Sequence, residues 1–293
     1  MKQSAQSTSG ERVDVALATY SKLPSLDDDE RLLIPALAAR GLSARPVVWD
    51  DPKFDWGNVR LVVVRSTWDY HHRRTEFLNW ATVVAARVPF WNPPATLRWN
   101  THKTYLRDLE NRGIAVVPTE WLPAGSAAAL DEVMDKWAWK EVVVKPTVSA
   151  DGYRTLRVSE ENLALGESHL RALVADREVM VQPFMGAVQT EGEHCAVIIA
   201  GELTHGLRKM TIFQPGFVDA PTRFELAADE QTLAHDAVAA AGYEYLYARI
   251  DLVRDESGRP HVMELEMTEP SLYFKDALHA ADRLADRIVQ LLD

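Results

Sequence analysis

Two stretches near the carboxyl end of the chain alternate apolar and charged residues, which is the pattern of a β-strand with one polar face. The first runs from Tyr247 to Val253 and the second from His261 to Met267. Between them, residues 255–260 (Asp-Glu-Ser-Gly-Arg-Pro) are of types that favour turns. The pattern therefore predicts a β-hairpin.

Charged residues share one face of each predicted strand. Because side chains alternate with a period of two, Arg249 and Asp251 point the same way, as do Glu264 and Glu266. The hairpin would bring Asp251 opposite the two glutamates. Three carboxylates placed together repel one another unless a cation lies among them, so this face predicts a site for magnesium and a nucleotide. The alternative is a hairpin with one solvated, charged face.

The first third of the chain alternates strand-like and helix-like patterns. Short apolar runs predict strands at 13–18, 44–49, 59–64 and 89–92, and amphipathic stretches predict helices at 27–41 and 75–87. This order predicts a largely parallel sheet with helices on its faces. Functional residues of such sheets lie at the carboxyl ends of strands, where the segment from Arg65 to Tyr70 falls.

The rest of the chain predicts a second region of mixed structure. Paired prolines in Asn92-Pro-Pro-Ala95 predict a boundary, because proline interrupts helices and strands. A helix with Lys103 in its first turn follows, then a compact α+β unit from about 115 to 185, strands at 196–209, a helix at 229–241, the hairpin and a terminal helix. We expect a disordered tail at 1–12 and domains at 13–94 and 95–293.

Composition narrows the class of protein. The 293 residues are 47% hydrophobic and 26% charged, which is typical of a globular protein. We find neither an apolar run of the roughly 20 residues that span a bilayer nor the apolar block of a signal peptide. The single cysteine, Cys195, excludes an intrachain disulfide and predicts a reducing, cytoplasmic setting. A net charge of -11 without a basic cluster argues against nucleic-acid binding.

Lys145 ends an apolar strand and precedes a turn of small residues at 146–153. Such a lysine can present its ammonium, together with backbone N–H groups, to phosphate oxygens. The alternative is a strand-end lysine whose ammonium reaches solvent. Neither a Walker motif nor a Gly-x-Gly-x-x-Gly run is present, which argues against the common P-loop and Rossmann nucleotide sites.

The order of these features resembles the ATP-grasp superfamily. The matching features, in chain order, are Lys103, Lys145, the apolar strand at 181–184, the acidic stretch at 191–193, arginines, Asp251 and Glu264-x-Glu266. The resemblance covers roughly residues 95 to 293, and the preceding sheet resembles the domain that usually accompanies this fold. It implies an α/β protein in which a parallel pre-ATP-grasp domain precedes a two-subdomain ATP-grasp fold with a lid at about 115–185.

The resemblance also implies roles for individual residues. Those that would bind ATP are Lys103 and Lys145 on the α- and β-phosphates, Ser149, Asp151 and Gly152 over the γ-phosphate, Gln182, Pro183 and Phe184 beside adenine, and Glu191 on the ribose, with Gln189 and Glu193 as alternatives. Asp251, Glu264 and Glu266 would bind two Mg²⁺ ions, with Mn²⁺ as a substitute. Arg249 and Arg208, with Lys145, would stabilise charge on the transferring phosphoryl group. Many relatives have asparagine where Glu266 stands.

Further motifs resemble one small group within the superfamily, which includes the cyclo-ligase that converts O-ureido-D-serine to D-cycloserine. They lie at 65–70, 92–93, 97–100, 204–209 and 264–272. This resemblance implies that ATP activates the carboxylate of an amino-acid-like substrate as an acyl phosphate, which a nitrogen then captures. Candidate substrate contacts are Arg65 or Arg208 for the carboxylate, Asp69 or Glu269 for the ammonium, and Ser271. An intermolecular carboxylate–amine ligase and a non-catalytic nucleotide-binding domain are the alternatives, and a homo-oligomer is left open.

Overall fold

The computed structural model describes residues 13–210, 212–213 and 220–293, so the predicted tail lies outside the described residues. The first unit is a four-stranded parallel sheet in the order β2-β1-β3-β4, as the alternating pattern predicts. Its elements are β1 (Val13–Thr19), α1 (Leu33–Ala38), β2 (Ala44–Val48), β3 (Val59–Ser66), α2 (Arg74–Ala85) and β4 (Phe90–Trp91).

The first helix is shorter than the sequence predicts. Asp27 caps the turn, since its carboxylate accepts hydrogen bonds from the backbone N–H groups of Asp29 and Glu30 at 2.7 and 2.8 Å. A 3₁₀ turn at Glu30–Leu32 precedes α1, which ends at Ala38 instead of Gly41. The 3₁₀ turn places the Glu30 side chain in the interior, where it is 1% exposed.

The paired prolines lie at the start of a helix. Pro94 is the first residue of helix α3 (Pro94–Asn100), a position where its missing N–H has no partner to lose. Helix α4 (Tyr105–Asn111) follows, so Lys103 lies in the turn before a helix rather than within its first turn. The backbone N–H of Lys103 donates to Thr147 O at 2.7 Å, which fixes this turn against the predicted phosphate loop.

The second sheet is antiparallel, in the order β5-β8-β6-β7. Helix α6 contacts strands of this sheet, and helix α5 contacts α6. It corresponds in sequence to the predicted α+β unit. Its elements are β5 (Glu120–Leu122), α5 (Leu130–Trp137), β6 (Val142–Pro146), β7 (Leu156–Val158), α6 (Leu163–Val174) and β8 (Val179–Pro183).

The third sheet carries the predicted hairpin. Its strands are antiparallel in the order β11-β10-β9-β12-β13. The remaining elements are α7 (Ala187–Thr190), β9 (Glu193–Ile199), β10 (Glu202–Lys209), β11 (Thr222–Phe224), α8 (Ala228–Ala241), β12 (Tyr247–Arg254), β13 (Pro260–Glu266) and α9 (Leu278–Leu292). Strands β12 and β13 pair with Asp251 directly opposite Glu264, which confirms the hairpin and its register.

Two buried asparagines join the first unit to the third sheet. Asn92 donates to the carbonyls of Tyr247 and Met267 and accepts from the N–H of Leu246. Asn100 donates to Leu265 O at 2.7 Å. Both satisfy backbone groups at the ends of β12 and β13, and so fix the hairpin against the parallel sheet. Among the described residues, no helix is both long and apolar enough to cross a membrane.

Candidate active site

A cavity of about 520 Å³ lies between the second and third sheets and reaches the end of the first. This volume is within the usual range for small-molecule sites, roughly 300–1,000 Å³. Its charged lining comes from β6, β9, β10, β12 and β13, from the turn before α4 and from the loops that follow β6 and β13. Residues more than 100 positions apart in sequence therefore meet at one site.

The predicted hairpin face opens onto this cavity. Arg249 lies opposite Glu266 in the register, and its guanidinium contacts Glu266 at 2.7 Å and Asp251 at 2.8 and 3.0 Å. Burial acts to raise the pKa of Asp251, but Arg249 and Lys209 outweigh burial and hold the pKa well below its usual value. Burial raises the pKa of Glu266, and Arg249 only partly opposes it.

The two predicted phosphate lysines converge on one predicted metal ligand. Lys103 Nζ lies 2.8 Å from Glu264 Oε2, and Lys145 Nζ lies 3.2 Å from Glu264 Oε1. Burial opposes ionisation of Glu264, but Lys103 and Lys145 lower its pKa to about 2. Burial lowers the pKa of Lys145, and Glu264 opposes that shift. The two ammonium groups therefore lie close together in the cavity, where both could bind phosphate oxygens.

Lys209 belongs to the site, whereas the sequence predicts its neighbour Arg208 there. Its ammonium lies 2.9 Å from Asp251 and 3.1 Å from Glu193. Arg208 is exposed and does not line the cavity, because adjacent strand residues point to opposite faces. The alternation of side chains along a strand implies that only one of these two neighbours faces the cavity. Which one does so depends on an irregularity in the β9–β10 register between Leu203 and His205.

The carboxylates suit magnesium in their chemistry. Asp251, Glu264 and Glu266 all line the cavity and offer the hard oxygen ligands that Mg²⁺ prefers. In the described part of the chain, no three acidic, histidine or cysteine residues are drawn together in a metal-binding cluster. Each of the three carboxylates instead contacts a lysine or arginine. A metal–nucleotide complex could replace these ion pairs, because phosphates supply anions for the freed cations.

The opposite end of the cavity has the character of a base-binding pocket. The predicted adenine residues Gln182, Pro183 and Phe184 line it, together with Val143, Val188 and Met263. Gln182 donates to Thr119 Oγ1 at 2.9 Å, and the guanidinium of Arg157 lies 3.7 Å from the centre of the Phe184 ring. An apolar slot with a few fixed polar groups is the usual form of such a pocket.

The predicted phosphate loop borders the same cavity through Ser149, Asp151 and Gly152. Ser149 is buried, and its hydroxyl donates to Pro146 O at 3.3 Å. Asp151 and Gly152 have positive φ angles of 51° and 64°. Two successive left-handed residues form a tight turn, which brings the backbone of the loop to the edge of the cavity.

The structure separates the candidates for the ribose. Glu191, the preferred residue, does not line the main cavity; it lines a different one with His194 and Glu230. Glu193 does line the main cavity, where its carboxylate contacts Lys209. Burial raises the pKa of Glu193, and Lys209 opposes that shift. Position therefore favours Glu193, one of the two alternatives.

The candidate substrate residues also divide into two sets. Glu269 and Ser271 line the cavity beside Arg249. Arg65 and Asp69 do not. Arg65 is 1% exposed and paired with Glu30, and Asp69 accepts from Arg73 and Trp49, so neither is placed to meet a ligand. Arg65 and Asp69 are therefore each paired with an oppositely charged residue of the protein itself. The sequence alone does not show which charged residues have such partners.

Two antiparallel sheets that enclose one cavity lined by lysines and carboxylates, behind a parallel α/β unit, define the ATP-grasp fold. The D-alanine–D-alanine ligase from Bacillus anthracis complexed with ATP shares this fold, with a TM-score of 0.68 at 18% identity over 96% of this chain and 97% of that one. ATP-grasp ligases use ATP and Mg²⁺ and act on small substrates.

The chain belongs to the D-cycloserine synthetase family of ATP-grasp ligases. Residues 15–92 match the family model for the N-terminal domain of the D-cycloserine synthetase DcsG. The cycloserine biosynthesis protein DcsG of Streptomyces lavendulae is 33% identical over 94% of this chain and 98% of that protein. The crystal structure of D-cycloserine synthetase DcsG superimposes with a TM-score of 0.88 at 29% identity, over 95% of this chain and 99% of that one. The protein is thus an ATP-dependent carboxylate–amine ligase.

Proposed function

We propose that the protein transfers the γ-phosphoryl group of ATP to the carboxylate of an amino-acid-like substrate, releases ADP, and lets a nitrogen nucleophile displace phosphate from the acyl phosphate. The observation that carries this proposal is the convergence of Lys103, Lys145 and Lys209 on carboxylates of one cavity. A carboxylate attacking a phosphoryl group must approach like charge, so placed cations are the main requirement of the chemistry.

Each group of the site would have one task. Asp251, Glu264 and Glu266 would hold the magnesium, for which we propose two ions with Mn²⁺ as a substitute. The bound metal would neutralise charge on the phosphates. Lys103 and Lys145 would hold the α- and β-phosphates, while Arg249 and Lys209 would face the transferring group. Binding of the phosphates by these cations orients the nucleotide before the substrate reacts.

The nucleotide's remaining parts would occupy the rest of the cavity. Gln182, Pro183 and Phe184 would flank the adenine, Glu193 would accept from the ribose hydroxyls, and the loop with Ser149, Asp151 and Gly152 would cover the γ-phosphate. Closure of this loop would keep water from the acyl phosphate, which water would otherwise hydrolyse. We propose the unit at about 115–185 as the lid that carries this loop.

For the substrate, we propose ring closure of O-ureido-D-serine to D-cycloserine, because family membership and the motif at Glu264–Leu272 both favour it. In this reaction the nitrogen bonded to the side-chain oxygen displaces phosphate from the activated carboxylate and closes the ring. Water then removes the carbamoyl group from that nitrogen as carbamate, which breaks down to ammonia and CO₂. Ser271 lines the cavity and would hydrogen-bond the substrate near the carboxylate. Coupling of the carboxylate to a second molecule's amine uses the same activation step and is the second candidate.

An ADP-release screen tests the proposal. The protein is incubated with Mg–ATP and single compounds drawn from amino acids and their ureido, hydroxamate and dipeptide analogues. We expect ADP and phosphate only with an amino-acid-like carboxylate, and a cyclic product of lower mass with O-ureido-D-serine. A product joined to a second amine would favour intermolecular coupling. AMP and pyrophosphate as products, or no nucleotide turnover with any compound, would contradict the proposed chemistry.

A further inference from the structure

Glu269 differs from the other carboxylates of the cavity. Its residue is 9% exposed and lines the cavity. Asp251, Glu264 and Glu266 each contact a lysine or arginine. For the Glu269 carboxylate, neither a hydrogen bond nor an ion pair is present within residues 13–210, 212–213 and 220–293. The carboxylate therefore borders the cavity without a protein partner, and a largely buried carboxylate gains from a cation, so its position points to a partner that a ligand brings.

The surroundings of Glu269 suit a compact organic cation. Trp68 Nε1 donates to the backbone carbonyl of Glu269 at 3.1 Å, which fixes the residue beside an indole. Tyr70 lines the same part of the cavity, and after burial the negative charge of Glu269 is the largest cause that raises the pKa of the Tyr70 hydroxyl. An ammonium group is attracted both by a carboxylate and by aromatic rings.

The pKa of Glu269 is also consistent with a ligand cation at this position. Burial raises the pKa of Glu269 well above its usual value, and the nearby charge of Glu266 adds to the effect. Lys103, Arg249 and Arg65 act in the opposite direction without restoring the usual value. An added positive charge in this place would therefore stabilise the ionised carboxylate.

The rival residue for an ammonium is already occupied. Asp69 Oδ2 accepts from Arg73 at 2.6 Å and Asp69 Oδ1 accepts from Trp49 at 2.9 Å. Asp69 does not line the cavity. A ligand's amine would have to displace both partners to reach it, whereas Glu269 needs no such rearrangement.

We propose that Glu269 binds the ammonium group of the substrate and thereby selects carboxylates that carry an amine. This inference rests on the proposed function. Recognition of the amine is then the task of Glu269. Activation of the carboxylate is the task of the cations and the metal-binding carboxylates. Selectivity of this kind arises because an analogue without the amine leaves a buried carboxylate unpaired.

The test compares two compounds that differ only in the amine. O-ureido-D-serine and its des-amino counterpart, 3-(ureidooxy)propanoate, are assayed by ADP release with the unmodified protein, with Glu269→Gln and with Glu256→Gln. Glu256 lies exposed in the hairpin turn and serves as the matched control. The Kd of Mg–ADP is measured for each protein, because it reports an intact fold and nucleotide site independently of turnover.

We expect the unmodified protein to prefer the amine by about 10–100-fold in kcat/KM, the scale of a hydrogen bond to a charged group. Glu269→Gln should lose about 10–100-fold toward O-ureido-D-serine, change less than about threefold toward the des-amino compound, and keep the Kd of Mg–ADP. Glu256→Gln should match the unmodified protein in all three quantities.

Three outcomes would overturn the inference. Equal losses toward both compounds, with the Kd of Mg–ADP preserved, would show that Glu269 does not read the amine. A changed requirement for Mg²⁺ with unchanged amine preference would assign Glu269 to the metal. A preference for the amine that survives Glu269→Gln would place the ammonium elsewhere. Absence of ADP release from the unmodified protein with both compounds, by contrast, would count against the ring-closing function on which the inference rests, and would remove both.

Discussion

Arg65 and Glu30 form a bidentate ion pair in the interior, with Arg65 Nε and Nη2 each 2.6 Å from a Glu30 carboxylate oxygen. The pair reaches the active site through the backbone. Arg65 Nη2 also donates to Pro270 O at 2.8 Å, and the backbone N–H of Leu272 donates to Glu30 at 3.3 Å. Residues on two elements of the parallel unit thus hold the segment that carries Glu269 and Ser271.

Arg65→Met should destabilise the protein. Loss of the guanidinium leaves the Glu30 carboxylate buried without a counter-charge, a change that typically costs about 3–5 kcal/mol. The unfolding midpoint in urea is the measurement. Adding Glu30→Gln to Arg65→Met removes the unpaired charge and should recover part of the loss. If the double variant is no more stable than the single one, the ion pair is not the source of the effect.

Lys209→Gln and Arg208→Gln should differ strongly in activity. Lys209 contacts Asp251 and Glu193 inside the cavity, whereas Arg208 points away from it. Removing a cation that faces developing charge lowers kcat by about 100-fold, so we expect a loss of this size for Lys209→Gln and less than about threefold for Arg208→Gln. Steady-state ADP release measures both. Similar losses in the two variants would contradict the assignment of faces.

Lys145→Ala should act mainly on nucleotide binding. Its ammonium contacts Glu264 in the cavity, where a phosphate would take it as a charge-assisted donor. Loss of such a hydrogen bond corresponds to about 10–100-fold in the Kd of Mg–ATP. Isothermal titration gives this Kd, and Lys140→Ala, at an exposed position just before β6, is the matched control. An unchanged Kd in Lys145→Ala would mean that the phosphates bind elsewhere.

Stability should fall as the pH drops below 6.5, and His102 should account for part of the fall. Burial, followed by the charges of Arg74 and Arg107, lowers the pKa of His102 from 6.5 to about 4. Between these values the unfolded chain takes up a proton that the folded protein does not, so folding is favoured above pH 6.5 and loses stability toward pH 4.

The variant His102→Gln removes this titration. It should reduce the slope of unfolding free energy against pH between about 6 and 4.5 by up to about 1.4 kcal/mol per pH unit. A residual slope is expected because His205 has a pKa lowered to about 4 as well, through burial. Urea unfolding at several pH values measures the slope. An identical slope in the variant would show that His102 is not neutral in the folded protein.

The sequence pattern within a single strand or hairpin predicts those parts of the site whose positions that strand or hairpin fixes. The hairpin with Asp251 and Glu264 follows from strand alternation and a strong turn, because the pairing partners lie within about twenty residues of one another. Lys145 was predicted as a strand-end residue for the same reason. Each of these side chains has a direction that its own strand decides.

Residues whose role depends on distant partners were not predicted. Arg65 lies at the carboxyl end of β3, where functional residues are common, but its guanidinium is paired with Glu30, and the helical pattern does not predict the 3₁₀ turn that buries Glu30. Arg208 and Lys209 are adjacent basic residues of the same strand, and a register shift earlier in that strand decides which one faces the cavity. Such outcomes depend on tertiary pairing, which a local pattern does not contain.

The most direct test of the central claim follows an oxygen atom. O-ureido-D-serine labelled with ¹⁸O in both carboxylate oxygens is incubated with Mg–ATP and the protein, and the released phosphate is analysed by mass spectrometry. Attack of the carboxylate on the γ-phosphoryl group, followed by displacement of phosphate by nitrogen, predicts one ¹⁸O atom in each phosphate and an equal amount of ADP. Unlabelled phosphate, or AMP and pyrophosphate in place of ADP, would contradict the account.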